Sequence, residues 1–523
     1  MHRPAADEDA LRLHRRLNRT DADYPADRSV KDLFERCAAA RPDAVAVVQG
    51  ERTLTYRELN RRANALAAVL LDAGLGPGEV AAVCVDRSPE LITALLAVVK
   101  CGAGYLPVDR EWPDARLTVL FEQAGCRLLI TDRAPALRQR FPDRRTVPVG
   151  DLPDHDAADP DLRVPSSAIA YINFTSGSTG TPKGVPIRHR SIVRLLFGAR
   201  YARLDEHTTL LHMAPVTFDA ATFEIWGALL HGGTCVLYPP GFVRLSVLGR
   251  VLRAHPVSVL FLTTALFNIV VDEAPETLAA VGTILTGGEA HSLRHVRRAL
   301  ELYGPDRLVS VYGPTECTTF ATFHPVRDVP PEETTLPIGR PIQNTRAYVV
   351  ADGRLCGAGE TGEVLLGGPG LSPGYLGLPE VTGERFGLYD IGGRVERLYR
   401  TGDRAYLRAD GELVFQGRTD SQVKINGHRV ELSEVAHHLN RHPGVRQSYL
   451  TVDEGPAGEK ALLAFVVPGD ASCDREAVRA FLRTSLPGYM VPSGVYLCDA
   501  LPLSATGKVD RAALLAERVV GAR

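Results

Sequence analysis

The sequence predicts an α/β fold, with a large N-terminal domain of layered sheets and helices that includes a β-rich subdomain, and a small α+β C-terminal domain. Strand-like apolar segments alternate with amphipathic helix-like segments through the first part of the chain, a pattern typical of layers around a largely parallel sheet. A chain of 523 residues exceeds what one hydrophobic core organises, so two or more domains are expected.

The N-terminal residues 1–30 are polar and contain the break Tyr24–Pro25, so they are predicted to form an arm or linker. Beyond them, hydrophobic periodicity predicts helices and strands in alternation. The predicted helices are VKDLFERCAAA from Val30, 54–71 and 89–100, and the predicted strands are 44–48, 80–85 and 168–174. Turn glycines in 360–376 predict a hairpin-rich β region. The α+β unit is predicted from helices at 432–440 and 475–486 and strands near 447–452 and 461–467.

The composition is that of an ordinary soluble globular protein, with 45% hydrophobic and 23% charged residues. The 60 basic and 62 acidic residues give a net charge of −2, which does not favour binding to nucleic acid or an anionic membrane. No apolar run is long enough to span a membrane, and the charged N-terminus lacks the apolar core of a signal peptide. The nine scattered cysteines contain no C-x-x-C pair, which favours reduced thiols. We therefore expect a cytoplasmic enzyme.

The stretch Thr175–Gly184, TSGSTGTPKG, combines glycines, hydroxyl side chains and one lysine directly after a predicted strand. Glycines let backbone N–H groups face a ligand, hydroxyls donate to oxygen, and Lys183 adds a positive charge, which together suit a polyphosphate. The common P-loop has Ser or Thr after Gly-Lys, whereas Lys183 lies between Pro182 and Gly184. A flexible Gly/Ser surface loop is the simpler alternative, and the ordered pattern of hydroxyls, glycines and lysine argues against it.

This loop resembles the phosphate-binding signature of the adenylate-forming superfamily, which includes acyl-CoA synthetases, luciferases and the adenylation domains of nonribosomal peptide synthetases. Three further fragments are similar to landmarks of the peptide-synthetase adenylation domains: NRTDADYP with LFERCAAARPDAVAV, LTYREL, and KCGAGYLPVD. Each fragment alone is weak, but their order and spacing are specific. The resemblance covers nearly the whole chain and implies ATP and an amino acid as reactants, with Mg²⁺ as a cofactor.

The resemblance implies a nucleotide site shared between the loop and later motifs. Tyr312 matches the adenine-stacking aromatic residue, Thr315 a phosphate-contacting hydroxyl and Glu316 the Mg²⁺-binding carboxylate. Asp403 matches the acid that binds the ribose, because a carboxylate can accept from both hydroxyls. Without the resemblance, Tyr312 would be interpreted as a core aromatic residue and Asp403 as a turn residue. The full ATP/AMP set is Thr175, Ser176, Gly177, Ser178, Thr179, Gly180, Lys183, Gly288, Glu289, Ala290, Tyr312, Gly313, Thr315, Asp403 and Arg418.

Asp219 is an acid among apolar neighbours, and a buried carboxylate is costly unless a cation or donors meet it. The pattern alone favours a helix N-cap before Ala220. The resemblance instead implies a partner for the substrate's α-ammonium group, and the two roles are compatible. The remaining matched positions are mostly apolar, which implies a small aliphatic substrate: valine, 2-aminobutyrate or isoleucine. The implied substrate-binding set is Asp219, Ala220, Phe223, Phe261, Leu285, Gly287, Val311, Thr319, Phe320 and Lys508.

The C-terminal part matches a family hinge at Asp420, which divides a large domain, 1–419, from a small mobile domain, 420–523. Lys508 would ordinarily be interpreted as a solvated surface lysine, but it matches the mobile lysine that meets the carboxylate and the α-phosphate. The residues implied to be catalytic are Lys508, Thr175, Lys183 and Glu316.

The sequence departs from the family pattern at three places. Ser310 replaces an adenine-contacting Asn, Ser372–Pro373 replaces Ala-Arg, and Asn426 replaces an Arg near the channel for the carrier thiol.

No phosphopantetheine attachment motif appears in the sequence, so a separate carrier protein is expected to receive the aminoacyl group in natural-product biosynthesis. Two other functions stay open. An acyl- or aryl-CoA ligase would share the ATP chemistry but has no amine for Asp219 to bind. A catalytically idle adenylate-binding or scaffold protein should have lost some of Lys183, Glu316, Asp403 and Lys508.

Overall fold

The computed structural model describes residues 1–150, 157–177, 180–420, 422–425, 427–455, 460–470, 473–503 and 509–520. Of the predicted site residues, Ser178, Thr179 and Lys508 lie outside the described residues. The helices are α1 Glu8–Leu17, α2 Val30–Ala40, α3 Tyr56–Asp72, α4 Pro89–Lys100, α5 Asp114–Gln123, α6 Ala134–Arg140, α7 His189–Leu196, α8 Ala220–Leu229, α9 Leu245–Ala254, α10 Thr264–Glu273, α11 Leu293–Tyr303, α12 Pro379–Arg385, α13 Leu432–Leu439, α14 Arg475–Arg483 and α15 Arg511–Val520.

The strands are β1 Val45–Gln49, β2 Arg52–Thr55, β3 Val80–Cys84, β4 Gly104–Pro107, β5 Leu128–Thr131, β6 Arg145–Pro148, β7 Ile169–Thr175, β8 Lys183–Arg188, β9 Thr209–His212, β10 Thr234–Leu237, β11 Val259–Thr263, β12 Thr283–Gly287, β13 Leu308–Tyr312, β14 Thr322–Val326, β15 Arg340–Pro341, β16 Arg346–Ala351, β17 Arg354–Leu355, β18 Thr361–Gly367, β19 Phe386–Ile391, β20 Arg394–Leu407, β21 Leu413–Arg418, β22 Gln422–Ile425, β23 His428–Glu431, β24 Val445–Glu454, β25 Lys460–Pro468 and β26 Gly494–Leu497. This mixture of helices and strands agrees with the predicted α/β class.

The chain divides into two compact units. The first unit contains Met1–Asp109, Phe121–Asn173 and Gly184–Thr419, and the second contains Arg110–Leu120, Phe174–Lys183 and Asp420–Arg523. One boundary therefore falls between Thr419 and Asp420, where the sequence places the hinge. The phosphate-loop residues 174–183 are grouped with the C-terminal residues.

Two sheets with a parallel centre form the layered part of the first unit. The nine-stranded sheet has the order β15-β14-β13-β12-β11-β9-β10-β1-β2. Each adjacent pair from β13 to β1 is parallel, and β14 and β2 are antiparallel to β13 and β1. The six-stranded sheet has the order β6-β5-β3-β4-β7-β8. Parallel strands need covered faces, and the apolar helix α4 supplies such a cover, with all of its residues except Glu90 buried.

The β-rich part of the first unit is a separate six-stranded sheet of order β17-β16-β18-β20-β19, with β21 paired to β20. Its described pairs are antiparallel, so neighbouring strands can be joined by short turns. Its longest strand, β20, carries Asp403 opposite Arg418 of β21. This pairing places side by side the predicted ribose contact Asp403 and Arg418, which was predicted to contact ATP or AMP.

The prediction that residues 1–30 form only an arm or linker is wrong. Helix α1 starts after Asp7, whose side chain accepts a hydrogen bond from the Ala10 N–H at 2.7 Å. The Asn18 amide exchanges hydrogen bonds with the backbone of Ala347 at 2.9 and 2.7 Å. The segment therefore packs on β16 as part of the first unit, because its few apolar residues lie on one helix face and its polar residues satisfy a strand edge.

The second unit has its own hydrophobic core, formed by α13, α14 and the sheet β24-β25-β26. Strand β24 is antiparallel to β25, and β26 is parallel to β25. The sequence predicted these helices and the first two strands, with boundaries that differ by a few residues. In the part of the chain that the structure describes, none of the helices combines the length and the apolar character that crossing a membrane requires.

Candidate active site

The phosphate loop begins where β7 ends at Thr175 and returns to the sheet at Lys183, the first residue of β8. The Thr175 hydroxyl donates to the Lys183 carbonyl at 3.5 Å, and both side chains are buried. Gly180 has a φ of +84°, in the left-handed region that favours glycine, and its N–H donates to the Gly177 carbonyl at 3.1 Å. The glycines are therefore required by the backbone path of the loop.

Within the second unit, the loop donors already contact oxygen atoms. The Ser176 hydroxyl donates to the Arg429 carbonyl at 3.0 Å, and the Gly177 N–H donates to Oε2 of Glu434 at 2.8 Å. Arg116 contacts the other oxygen of Glu434 at 3.0 Å. Burial raises the pKa of Glu434, and the charge of Arg116 partly offsets this shift. The Gly177 amide therefore has the geometry to hold an anionic oxygen.

Tyr312, Asp403 and Arg418 form one hydrogen-bonded group in the first unit. The Tyr312 hydroxyl donates to Oδ2 of Asp403, and Arg418 donates to Oδ1 of the same carboxylate. Burial raises the pKa of Tyr312 well above its usual value, and the negative charge of Asp403 adds to the shift. The tyrosine therefore stays neutral, and the structure brings together three residues that the sequence assigned to the nucleoside.

Glu316 lies in a short 3-10 turn, Thr315–Cys317, and is completely buried. Its Oε1 accepts a hydrogen bond from the Tyr375 hydroxyl at 2.7 Å. The chain around the turn is tight, because a Cβ on Gly313 would lie 2.4 Å from the Thr319 carbonyl oxygen. No cluster of three or more metal-ligating side chains occurs among the residues with described positions. A single carboxylate fits Mg²⁺, which keeps several waters and binds substrate phosphates.

The turn after β12 carries the predicted contacts Gly288, Glu289 and Ala290. Gly288 has a φ of +96°. The Thr264 hydroxyl donates to the carbonyls of Gly287 and Glu289 at 3.2 and 3.1 Å, which fixes the backbone on both sides of Gly288. A Cβ on Gly287 would lie 2.1 Å from the Val311 carbonyl oxygen, so no larger residue fits at this position.

Several of the positions predicted to bind the amino-acid substrate lie together because of the register of the nine-stranded sheet. Phe261 of β11 is paired with Leu285 of β12, and Gly287 of β12 is paired with Val311 of β13. Parallel neighbours in register place their side chains in rows across the sheet. Residues scattered over 50 positions of sequence thus share one small region.

One predicted phenylalanine, Phe320, contacts the two others in the first unit. The ring centroid of Phe320 lies 5.4 Å from that of Phe223 and 5.7 Å from that of Phe261. The Tyr201 ring lies 5.5 Å from Phe320 and adds a further aromatic contact that the sequence analysis missed. We call Phe223, Phe261, Phe320 and Tyr201 the aromatic wall. All four residues are buried.

Asp219 occupies the position before α8, but its side chain makes no capping hydrogen bond. Its backbone is helical, with φ −66° and ψ −19°, whereas a capping residue is normally extended. Asp219 therefore lies at the predicted N-cap position of α8, but its side chain does not cap the helix. The Thr319 hydroxyl donates to the Asp219 carbonyl at 2.9 Å, so two predicted substrate-binding positions are in direct contact.

Two buried charged residues hold the loops that carry these positions, and the sequence analysis missed their roles. The guanidinium group of Arg194 donates to the carbonyls of Phe320 at 3.0 Å and Cys317 at 2.6 Å. The Glu224 carboxylate accepts from the N–H groups of Met213 and Ala214 at 2.9 and 3.0 Å, and from His212 at 2.9 Å. Both side chains fix backbone atoms, and the only signal of this role in the sequence is a charge within an apolar segment.

Comparisons with known proteins show which family and which solved structures the chain resembles. The family model of the AMP-binding enzyme matches residues 34–376, and that of the AMP-binding enzyme C-terminal domain matches 434–508. One of the linear gramicidin synthase subunits of Brevibacillus parabrevis is 42% identical over 95% of this chain, which corresponds to 6% of that synthase. Surfactin synthase subunit 1 of Bacillus subtilis (strain 168) is 39% identical over 97% of this chain and 14% of that protein. The chain therefore spans a small part of these curated relatives.

A solved structure matches the chain over nearly its whole length. The structure of PA1221, described as an NRPS protein containing adenylation and PCP domains, is 36% identical with a TM-score of 0.85. The match covers 98% of this chain and 99% of that chain. The predicted fold class is confirmed by this likeness, and so is the resemblance stated from the motifs.

Proposed function

The chain belongs to the AMP-binding enzymes, as an adenylation domain of the nonribosomal peptide synthetase class of amino-acid-activating ligases, and on that premise we propose that it activates a small aliphatic amino acid. The candidates are valine, 2-aminobutyrate and isoleucine. The observation that carries the proposal is the aromatic wall, whose Phe320 follows Thr319, the residue that donates a hydrogen bond to the Asp219 carbonyl. Buried rings limit the length of a substrate side chain, and the one hydroxyl of the wall, on Tyr201, already donates to the Leu195 carbonyl at 2.7 Å.

The first half-reaction needs no general base, because the carboxylate of the substrate is already a nucleophile. A carboxylate oxygen forms a bond to the α-phosphorus of ATP, and the bond from that phosphorus to the bridging oxygen of pyrophosphate breaks. The products are aminoacyl-AMP and pyrophosphate. The protein must position two anions and stabilise the charge that develops between them.

Each group of site residues has one task in this reaction. The loop from Thr175 to Lys183 binds the phosphates, and Tyr312, Asp403 and Arg418 bind the nucleoside. Asp219 pairs with the α-ammonium group of the substrate. Lys508, which lies outside the described residues, is proposed to meet the carboxylate and the α-phosphate. Glu316 would hold Mg²⁺, which neutralises charge on the phosphate oxygens when it is bound.

The second half-reaction is proposed to transfer the aminoacyl group to the phosphopantetheine thiol of a carrier protein. The thiolate attacks the carbonyl carbon, a thioester forms, and AMP leaves. The likeness to PA1221, whose description includes a PCP domain, supports a carrier of this kind. The proposal has two further parts. Residues 420–523 move about Asp420 between the two half-reactions, and the carrier protein is a separate chain.

Pyrophosphate exchange tests the proposal. Exchange of radiolabelled pyrophosphate into ATP is measured for the proteinogenic amino acids and 2-aminobutyrate. We expect the highest rates for small aliphatic substrates, with overlap among neighbours because one methylene is worth about 1–3 kcal/mol. A strong preference for an acidic or aromatic amino acid would contradict the substrate class.

The same preparation tests the alternative reaction and the carrier. Formation of a CoA thioester from a fatty or aryl acid, without amino-acid-dependent exchange, would favour the acyl- or aryl-CoA ligase. Candidate holo-carriers are supplied as separate proteins, and the mass gain of the aminoacyl group is measured. Exchange without loading of any carrier would restrict the function to the first half-reaction.

A further inference from the structure

A basic cavity of about 450 Å³ lies in the first unit, and none of its lining residues belongs to the predicted nucleotide or amino-acid set. Five of the side chains that line it are arginines: Arg188, Arg190, Arg346, Arg394 and Arg397. The acids in the lining are Asp21 and Glu396. The lining therefore has a formal charge of +3. Its volume is in the range of small-molecule sites, about 300–1,000 Å³.

Both acids in the cavity are committed to other arginines. Asp21 pairs with Arg346 at 2.5 Å, and Glu396 pairs with Arg394 at 2.6 Å. Neither acid contacts Arg188 or Arg190 within salt-bridge distance, so the acids leave that pair uncompensated.

Arg397 is also committed, because its guanidinium group donates to the carbonyls of Ser372 and Pro373 at 2.8 and 2.7 Å. The side chains of Arg188 and Arg190 have no hydrogen-bond or ion-pair partner within the described ranges. Nε of Arg190 is buried without a partner. An unsatisfied buried donor of a charged group is costly, which indicates that an external acceptor fits here.

The local electrostatics of Arg188 and Arg190 are unfavourable in the absence of an anion. Burial lowers the pKa of Arg188, and the like charge of Arg190 lowers it further. Arg188 occupies the N-cap position of α7 without a capping hydrogen bond, and Arg190 lies in the first turn. The partial positive charge of a helix N-terminus disfavours cations and favours anions. The first N–H groups of this helix already bond the Ala168 and Ser166 carbonyls, so an anion would be held by the side chains.

We propose that this cavity is a second anion site, which binds a small phosphate compound with at least two negative charges between the guanidinium groups of Arg188 and Arg190. A guanidinium group offers a planar fork of donors that matches phosphate oxygens in pairs. The lining also contains the acids Asp21 and Glu396, which would repel an extended acidic chain more than a compact ligand. The proposal does not depend on the aliphatic substrate class or on carrier transfer.

Titration calorimetry with inorganic pyrophosphate tests the proposal on the full chain. The wild type is expected to show two classes of site, because the phosphate loop also binds pyrophosphate. The double variant Arg188→Gln/Arg190→Gln should lose one class, with affinity reduced at least about tenfold, and keep the other. The matched control Arg394→Gln removes a lining arginine that is already paired with Glu396, and should keep both classes within about twofold.

A second variant and a structure separate the two sites. Lys183→Ala should weaken the loop class and leave the cavity class. Crystals soaked in pyrophosphate should show density between Arg188 and Arg190. Three results would each overturn the proposal. The double variant could keep both classes of site, Lys183→Ala could lose all binding of pyrophosphate, or the protein could bind an Asp/Glu-rich peptide in preference to pyrophosphate. If the double variant is not folded, Arg190→Lys replaces it in the same comparison with the wild type. The lysine keeps the positive charge but removes the planar fork of guanidinium donors.

Discussion

The aromatic wall and the phosphate loop are proposed to bind their ligands with different parts of the chain. The wall consists of buried side chains whose rings lie 5.4–5.7 Å apart around Phe320. The loop uses backbone N–H groups, hydroxyls and one lysine, and its path depends on glycine at a φ of +84°. On the proposed roles, the wall would select an amino acid by its shape. The loop would bind the phosphate groups of ATP, which are common to the reaction of every amino acid.

This difference predicts different responses to substitution. A change in the wall should alter which amino acid reacts, because the volume open to the substrate changes. A change in the loop should alter the rate for all amino acids equally, because the phosphate groups are common to every reaction. Asp219 stands between the two cases, since every amino acid has the ammonium group but no carboxylic acid without an amine does.

The largest effect is expected for Asp219→Ala. Removal of one partner of a largely desolvated charge pair costs about 2–5 kcal/mol, so kcat/KM for the amino acid should fall about a thousandfold. The KM for ATP should stay within about twofold, since the phosphates contact other residues. Pyrophosphate exchange at varied amino acid and ATP measures both constants. A matched control is Asp205→Ala, whose side chain pairs with the exposed Arg203 at 2.6 Å. Equal losses in both variants would refute the ammonium role.

The next largest effect is expected for Lys183→Ala. Loss of one donor to the developing charge typically costs about 3–4 kcal/mol, so exchange should fall at least about a hundredfold. The same factor should apply to valine, 2-aminobutyrate and isoleucine. Exchange rates for all three substrates check this equality, with Lys460→Ala as a lysine control outside the loop. If the fold loss of exchange differed by more than about tenfold among the three substrates, the loop would also influence amino-acid preference, which would contradict the proposed difference between loop and wall.

A similar loss is expected for Lys508→Ala, on the resemblance alone. Exchange should fall about a hundredfold or more, because the ammonium group is proposed to meet both reacting anions. A variant with near wild-type exchange would remove Lys508 from the catalytic set.

A smaller effect, but a change in preference, is expected for Phe320→Leu. The shorter side chain opens space near Phe223 and Phe261, and one methylene of substrate is worth about 1–3 kcal/mol. The ratio of kcat/KM for leucine over valine should rise about tenfold. Phe323→Leu is the matched control, because its ring lies 6.5 Å from Tyr201 and it is not a predicted pocket residue. An unchanged ratio at position 320 would place the substrate side chain elsewhere.

The sequence predicted the parts of the site that are encoded locally. The strand before Thr175, the turn at Gly288 and the motif around Glu316 are contiguous stretches in which residue type and backbone path go together. The fold class and family membership were also predictable, because alternation and ordered motifs are visible along the chain. The first helix was missed, since its short apolar face is masked by charged residues.

Contacts between distant segments could not be predicted in the same way. Arg194 bonds carbonyls that lie more than 120 positions away, and nothing in its helix distinguishes it from a solvated arginine. Tyr201 joins the aromatic wall only because the sheet register and α8 bring its neighbours together. Asp219 was assigned its proposed role by resemblance, whereas the local pattern predicted the N-cap position, which Asp219 occupies without a capping hydrogen bond.

The smallest effect is expected at Glu434, whose carboxylate accepts the Gly177 N–H at 2.8 Å within the second unit. A phosphate oxygen would use the same donor, so the carboxylate competes with ATP. In Glu434→Gln the competing charge is lost while Oε1 can still accept from Arg116, and the KM for ATP should fall about threefold. Glu431→Gln is the matched control, because that side chain accepts from Gln422 at 2.6 Å and does not contact the loop amide. If the KM for ATP instead rises in Glu434→Gln, the carboxylate organises the loop for phosphate binding. The loop would then depend on a buried side chain, as the wall does.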